Sequence, residues 1–403
     1  MGLGRLRNLG KLASSGAHPA GASRRAATAI RTGAPPIAVD FGTGSLKVLQ
    51  VNGSHPPGLV AAAALKTPEE LQADAGARLK FQLESLPKLV KQGGFKSARA
   101  VCSIPAGLTF CKHLQVTRTE GVDRGEVARA AVAKQLMCDP MSLVCRHVEA
   151  KELTGSRSEV ICFAASLGLV ERMMGAFKAS RLEPVGIHSE MQALVRGCQP
   201  EVIHDDPPTT LYLDIGRGCT SVVVAKGTDV RFARVIEFGG RHMDEAVAAQ
   251  LKCTLTRAND HRYEVTHVIP ERHAGVRAEG VAEGVGGAAP VMLTKAQLKP
   301  IAPEVDLSES MEILTDEIKM CLRYHRGLFP DEPATKVVFV GGESRHVPMC
   351  EHIARVLRLG AESADPLARV ARSGKEPTSG LTLDEPQPGW AVALGMCLSP
   401  TDL

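Results

Sequence analysis

Long hydrophobic runs are missing from this 403-residue chain. No stretch approaches the roughly 18 apolar residues that a membrane-spanning helix requires, and there is no apolar h-region of a secretory signal. Aromatic residues make up only 3% of the chain, too few for the stacking platforms that hold single-stranded nucleic acid. The eleven cysteines form no CxxC pair and are odd in number. That argues against a zinc site or a disulfide framework and favours a reducing, intracellular compartment. The histidines show no HExxH or other metal spacing, and His242, His261, His267 and His273 read as dispersed surface residues.

Acidic residues are missing from one place. Residues 1–36 hold no Asp or Glu but do hold Arg5, Arg7, Lys11, Arg24, Arg25 and Arg31. The net charge of +4 is therefore a +6 tail on a body with 42 basic and 44 acidic side chains, net −2. A body without basic excess has no phosphate-backbone footprint, so nucleic acid is excluded as a partner. The tail is rich in Gly, Ala, Ser and Arg, and its leucines at 3, 6, 9 and 12 drift around a helix axis rather than forming a stripe. Composition favours a disordered basic tail. The alternatives are a membrane-surface anchor, drawn to anionic lipid by roughly 1 kcal/mol per basic residue, a targeting peptide, or a start codon placed too early.

At 44% hydrophobic and 23% charged, the rest has the composition of an ordinary soluble protein of two or three domains. Order begins after Pro35-Pro36, where Ile37 to Phe41 forms an apolar strand carrying Asp40 and running into Gly42-Thr43-Gly44-Ser45, and Leu46 to Val51 forms a second strand. The pattern returns 174 residues later: Leu211 to Ile215 carries Asp214, Gly216-Arg217-Gly218-Cys219-Thr220 forms the turn, and a β-branched strand follows. One such turn is a weak signal; two copies point to an internal duplication. Glycine turns let backbone N–H groups point into one concavity and approach an anion closely. Thr43, Ser45, Cys219 and Thr220 can add side-chain contacts, and Lys47 offers a point charge for a phosphate. Asp40 and Asp214 would be repelled by phosphate alone, so they imply a bridging Mg²⁺, which one or two carboxylates plus waters usually hold. A strand follows each turn where a dinucleotide site needs a helix, so a Rossmann site is rejected. Near the C-terminus, the strand Lys336–Val340 runs into Gly341-Gly342-Glu343-Ser344, a loop against which a nucleotide's adenosine can rest. An amphipathic helix over Val347–Leu357 and a small-residue helix over 388–395 follow.

The hairpins, the Gly-Gly loop and the final helix, in this order, resemble the actin-like ATPase superfamily of actin, Hsp70, sugar kinases and FtsA. Between the hairpins lie a strand ending Ile104-Pro105, a second strand over 109–116, and a helix from Asp123 to Met137 with Val127, Ala130, Ala131 and Leu136 as its apolar positions. Strands around 143–149 and 160–165 follow, then a helix over 169–180 and the exit Glu183-Pro184-Val185 to Leu194. This succession is similar to the PilM family of type IV pilus assembly proteins, as is Val235 to Glu245 with its Gly239-Gly240 turn. The resemblance implies an α/β, duplicated actin-like fold with an inserted βαββα subdomain. Its expected boundaries are the tail 1–36, a first core over 37–107 and 183–209, the insertion 108–182, a second core over 210–252 and 308–403, and a divergent insertion over 253–307.

The same resemblance implies ATP and Mg²⁺ as cofactors and places Glu190 opposite the γ-phosphate, where it orients water or magnesium. A first-turn carboxylate stabilised by the helix dipole is the competing reading of Glu190. His188 stands where the family commonly has Asp. Arg217 occupies a turn position that is usually small, so it either ligates phosphate or blocks it. The family's role is that of a cytoplasmic ATP-binding scaffold, peripheral at the inner membrane and with slow or no hydrolysis. It grips the short N-terminus of the bitopic membrane protein PilN between its first subdomain and the insertion, and it can form homo-oligomers. A phosphotransferase and an FtsA-like filament protein are the alternatives. The first lacks an evident substrate-side Asp, and the second would bring a C-terminal amphipathic helix where 398–403 is short and polar. The stripe Met311, Leu314, Ile318 and Leu322 within 308–329 reads as core. Removing residues 1–36 is expected to leave nucleotide binding unchanged and to reduce co-sedimentation with anionic vesicles; equal co-sedimentation of both forms would deny the tail a membrane role.

Overall fold

The computed structural model describes residues 35–117, 121–153, 155–199, 205–264 and 305–399. The tail through residue 34, His267, His273 and most of the divergent insertion lie outside them. In the first half, β1 (Ile37–Phe41), β2 (Ser45–Val51) and β3 (Leu59–Lys66) form an antiparallel meander. Every residue of β1 is buried, as its place in the middle of the sheet demands. Helix α1 (Ala75–Gln92) starts where the Asp74 carboxylate accepts the N–H groups of Gly76 and Ala77, donors that a helix start otherwise leaves orphaned. It delivers the chain to β4 (Arg99–Ser103), parallel to β1.

The chain then leaves the sheet for β5 (Phe110–Thr117), α2 (Arg124–Leu136), β6 (Leu143–Glu152), β7 (Arg157–Ser166) and α3 (Leu167–Ala179). This is the expected βαββα insertion, with a three-stranded sheet in the order β5-β7-β6. It returns as β8 (Glu183–His188), parallel to β4, and α4 (Glu190–Cys198).

The second half repeats the plan. Antiparallel β9 (Thr209–Ile215), β10 (Thr220–Lys226) and β11 (Asp229–Ile236) lead to α5 (Gly240–Leu251), α6 (Leu255–Glu264) and α7 (Ser308–Leu328). Next come β12 (Lys336–Val340), parallel to β9, α8 (Val347–Leu357) and β13 (Gly360–Ser363). The order β11-β10-β9-β12-β13 matches β3-β2-β1-β4-β8 strand for strand, so the duplication inferred from two turns extends to whole sheets. The chain then crosses back. Its β14 (Thr378–Ser379) adds to the outer edge of β3, and after a 3₁₀ turn over Pro388–Trp390 it ends in α9 (Ala391–Cys397).

Each half has its own core. Ile37, Val39 and Phe41 pack with Leu79 and Leu86 of α1 and with Leu169, Met173 and Phe177 of α3, so α3 is built into the first half while the insertion's sheet projects from it. In the second half Met311, Leu314 and Ile318 are buried and Leu322 packs at their edge, as the helical spacing predicts. Helix α2 corrects the sequence reading. It buries Ala128, Val132 and Ala133 against β7, whereas Ala130 and Leu136 are exposed and Val127 is only partly covered. In a helix so rich in alanine, the small residues allow the closest approach to the sheet and decide the face. The surface reading of the histidines is likewise too broad: His188, His325 and His346 are buried. Burial pulls the imidazoles of His188 and His325 down to about 4, so both are neutral near pH 7. All eleven cysteines are free thiols, and no helix among the described residues is long and apolar enough to cross a membrane.

The halves are joined beneath their facing ends by α4 and α9, which cross in direct contact. A Cβ on Gly395 would overlap the Ala193 carbonyl, and one on Gly197 would overlap the Ala391 carbonyl. The small residues of α9, evident in the sequence, serve this crossing. Gly395→Val is expected to cost about 1–3 kcal/mol by overpacking, read as a lowered midpoint of chemical unfolding; an unchanged midpoint would show that the crossing has slack.

Candidate functional site

The ends of the two sheets face one another across a cavity of about 1050 Å³, at the upper end of the range for small-molecule sites. Gly42, Thr43, Gly44 and Ser45 line it from the β1–β2 turn, and Gly216, Arg217 and Cys219 from the β9–β10 turn. The turns nearly touch: a Cβ on Gly218 would stand 2.9 Å from Thr43 Oγ1, so a larger residue there would wedge the halves apart. Gly218 therefore permits the approach without lining the cavity. Strand register separates the two copies chemically. Asp40 is paired with Lys47, but Asp214 with Ser221, and the one lysine places Nζ 3.3 Å from Asp40 Oδ2.

Three of the carboxylates that line the cavity lie near Lys47: Asp40 near the end of β1, Asp214 on β9 and Glu190 in the first turn of α4. Burial, reinforced by Asp40 and Asp214, holds the Glu190 carboxyl well above its ordinary range, against the opposing pull of the Ala106 N–H. One Glu190 oxygen is buried without a partner. Asp214 packs on Gly341, whose φ of +90° is one that glycine adopts readily, and burial pushes its carboxyl up to about 6. Three carboxylates facing one lysine suit a cation. No three His, Cys, Asp or Glu side chains among the described residues form a direct ligand cluster. An ion here would be held by one or two carboxylates and water, as Mg²⁺ usually is. The Cys219 thiol is pushed up to about 12 by burial and is neutral.

The remaining sequence-predicted residues divide between lining and bracing. Gly341, Gly342 and Glu343 line the cavity. Ser344 is buried and donates to the Gly341 carbonyl at 2.8 Å. The Thr220 hydroxyl donates to Phe238 O at 2.8 Å. The Gly240 and Arg241 N–H groups donate to Gly216 O and Arg217 O at 3.0 and 2.8 Å, so the Gly239-Gly240 turn holds the second glycine turn in shape.

Arg217 lines the cavity, but its guanidinium is already paired. Its Cβ rests beside Gly44, and the side chain then leaves the turn. Nε donates to Gln72 Oε1 of the first half at 3.0 Å, while Nη1 pairs with Asp244 and lies 3.8 Å from Glu343 of the second. Asp244 also accepts from Arg262 Nε at 2.6 Å and Asn259 Nδ2 at 3.1 Å. Arg262 and the Tyr263 hydroxyl converge on Glu343. Burial favours loss of the Arg262 proton, but Glu343 and Asp244 outweigh it and keep the guanidinium charged.

Sequence reasoning missed one wall. Thr256, Asn259, Asp260 and Tyr263 of α6 line the cavity, within the segment that could not be matched to any pattern. Thr67, Glu69 and Gln72 line it from the β3–α1 connection and Arg78 from the first turn of α1. No motif marks these residues. Glu69 accepts from Thr256 across the cleft, a pairing that only the fold brings about.

The fold is the actin-like one, in two like halves with the insertion in the first. The structure is similar to the "PilM-PilN type IV pilus biogenesis complex", with a TM-score of 0.68 at 20% identity over 90% of this chain and 98% of that one. More distant likenesses are MreB 5 of Spiroplasma citri bound to AMPPNP (TM-score 0.47, 13% identity, 91% and 96% covered) and the ethanolamine utilization protein EutJ from Carboxydothermus hydrogenoformans (0.43, 15%, 90% and 89%). No family model matches the chain, and no curated protein matches it in sequence.

The raised carboxyl of Asp214 has a definite consequence for stability. The folded chain binds this proton more tightly than the unfolded chain, so the contribution is favourable below about pH 4 and is lost as pH rises through about 6. Metal-free protein should therefore lose stability across that window, and Asp214→Asn should flatten the loss. An identical pH slope in the variant would remove Asp214 as the source.

Proposed function

We propose that the protein is an ATP-binding scaffold whose cleft takes Mg-ATP and whose nucleotide state governs the grip on a membrane-protein partner. The observation that carries this reading is the pair of glycine turns meeting across a cavity with carboxylates at its floor. Backbone N–H groups of both turns, with Thr43, Ser45 and Lys47, would hold the phosphates, Thr220 bracing the second turn through Phe238 O; Asp40 and Asp214 would hold the ion through water. Magnesium, when bound, neutralises phosphate charge and fixes its orientation. The adenosine would rest against Gly341-Gly342 with Glu343, which Ser344 and the Gly239-Gly240 turn support from behind.

Glu190 would orient a water at the phosphate end. Burial disfavours its charged form, and a neutral carboxyl is a poor base, which supports slow hydrolysis. The likeness to a PilM–PilN complex supports a place on the inner-membrane assembly platform of a type IV pilus or a related secretion system. The partner would be the N-terminal segment of a PilN-like single-span protein, and the chain itself would sit in the cytoplasm against the membrane.

Two measurements test the reading. Calorimetry should show Mg-ATP binding by the full chain and its loss in Asp40→Ala with the fold intact; equal affinity in the variant would reject the site. ATP turnover should stay below about 1 s⁻¹, the low end of ordinary enzymes. Faster turnover with an added acceptor would make the protein a phosphotransferase instead.

A further inference from the structure

The insertion meets the rest of the molecule in two ways. Helix α3 is embedded in the first half's core, but the three-stranded sheet docks on β11, the edge strand of the second half. There Ala233 has both backbone groups engaged by β5: its N–H donates to His113 Nε2 at 3.3 Å, and its carbonyl accepts the Cys111 thiol at 3.4 Å. The His113 ring stacks on Phe232 with centroids 4.8 Å apart. Because Nε2 accepts, Nδ1 carries the proton and faces Glu159 Oε1 at 3.2 Å. The Tyr324 hydroxyl of α7 donates to that same oxygen at 2.7 Å. Glu159 is fully buried on β7, and its other oxygen has no partner. Arg231 of β11 adds a bond to the Ala150 carbonyl at 3.3 Å, and Lys151 adds one to the Leu328 carbonyl.

Both sides of this joint lead to the cleft. Strand β5 is entered through Pro105-Ala106-Gly107, which lines the cavity, and the Ala106 N–H bonds the Glu190 carboxyl. Strand β11 runs into the Gly239-Gly240 turn, which is tied by backbone bonds to Gly216 and Arg217. A displacement of the β9–β10 turn or of Glu190 can thus reach the same joint through a few bonded residues, the kind of continuous packed route by which coupling can travel.

We propose that the insertion's sheet is a lever fixed to the second half by the His113–Glu159–Tyr324 joint, so that filling the cleft shifts the sheet against the first half in which α3 is anchored. The joint is polar and apolar at once: Ala150, Ile161 and Phe163 of the insertion share one buried cluster with Val230, Ala233 and Phe329 of the second half, so the sheet is held on β11 and follows it. The ligand that drives the lever rests on the Mg-ATP reading above, but the joint itself does not.

Hydrogen exchange on the full-length chain tests both parts, with Tyr324→Phe as the conservative variant and His113→Ala/Tyr324→Phe as the stronger one. By reciprocity, a coupled joint that is loosened must also loosen the cleft. Without ligand, both variants should exchange faster not only at 110–117 but also at 106–107 and 216–219, by about fivefold or more, the lower end of usual couplings. Faster exchange confined to the joint, with the cleft unchanged, overturns the lever. With Mg-ATP, wild-type protein should show slowed exchange at 143–152 and 157–166, and the double variant should bind yet leave that sheet unresponsive. Calorimetric binding with no response in the wild-type sheet also overturns the lever. Absence of binding overturns the nucleotide reading and leaves the ligand-free comparison to decide the joint.

Discussion

Two glycine turns, one from each half, meet so closely that Thr43 occupies the space a side chain at position 218 would need. The rest of the structure serves this approach. Duplicated sheets present the turns at matching ends, and the α4–α9 crossing beneath them requires glycine at 197 and 395 for the same steric reason. Because α4 also carries Glu190 in its first turn, the contact that joins the halves fixes the third carboxylate of the cleft. Packing and chemistry are set by one crossing.

That placement is electrostatically unfavourable by itself. Burial and the nearby Asp40 raise the proton affinity of Asp214, burial with Asp40 and Asp214 raises that of Glu190, and Lys47 opposes both. Such a site favours a cation and, with the glycine turns above it, a polyanion that the cation bridges. The other end of the cavity is of different character. Arg217 and Arg262 balance Asp244 and Glu343 in a neutral cluster, and Arg217 reaches across to Gln72. The cleft thus has one end with unsatisfied negative charge and one end that is already satisfied, which gives a ligand a defined direction. On the proposed reading, the same logic explains how the body manages with no basic excess: the phosphate donors would be backbone N–H groups.

The sequence carried the turns, the flanking strands and the insertion's order because these depend on local chemistry. A glycine turn after an apolar strand and a strand of alternating residues can both be read within a dozen positions. The strand over 336–340 and the helix over 347–357 were legible for the same reason. The burying face of α2 was not, since alanines dominate it and apolar counting ranks Leu136 above Ala128. Nor was the α6 wall: Thr256, Asn259, Asp260 and Tyr263 are ordinary polar residues until the second half folds them beside Glu343. The direction taken by Arg217 depends on Gln72, 145 residues away, and on Asp244, buried in α5. Long-range partners of this kind leave no local signal.

The most direct test of the cleft as a magnesium-nucleotide site is a calorimetric titration of the full chain with ATP, once with Mg²⁺ present and once with a chelator. Saturable binding with Mg²⁺ that is weakened at least tenfold by the chelator is the predicted result, because the carboxylates repel bare phosphate. Binding of equal strength in both, or none in either, would contradict it.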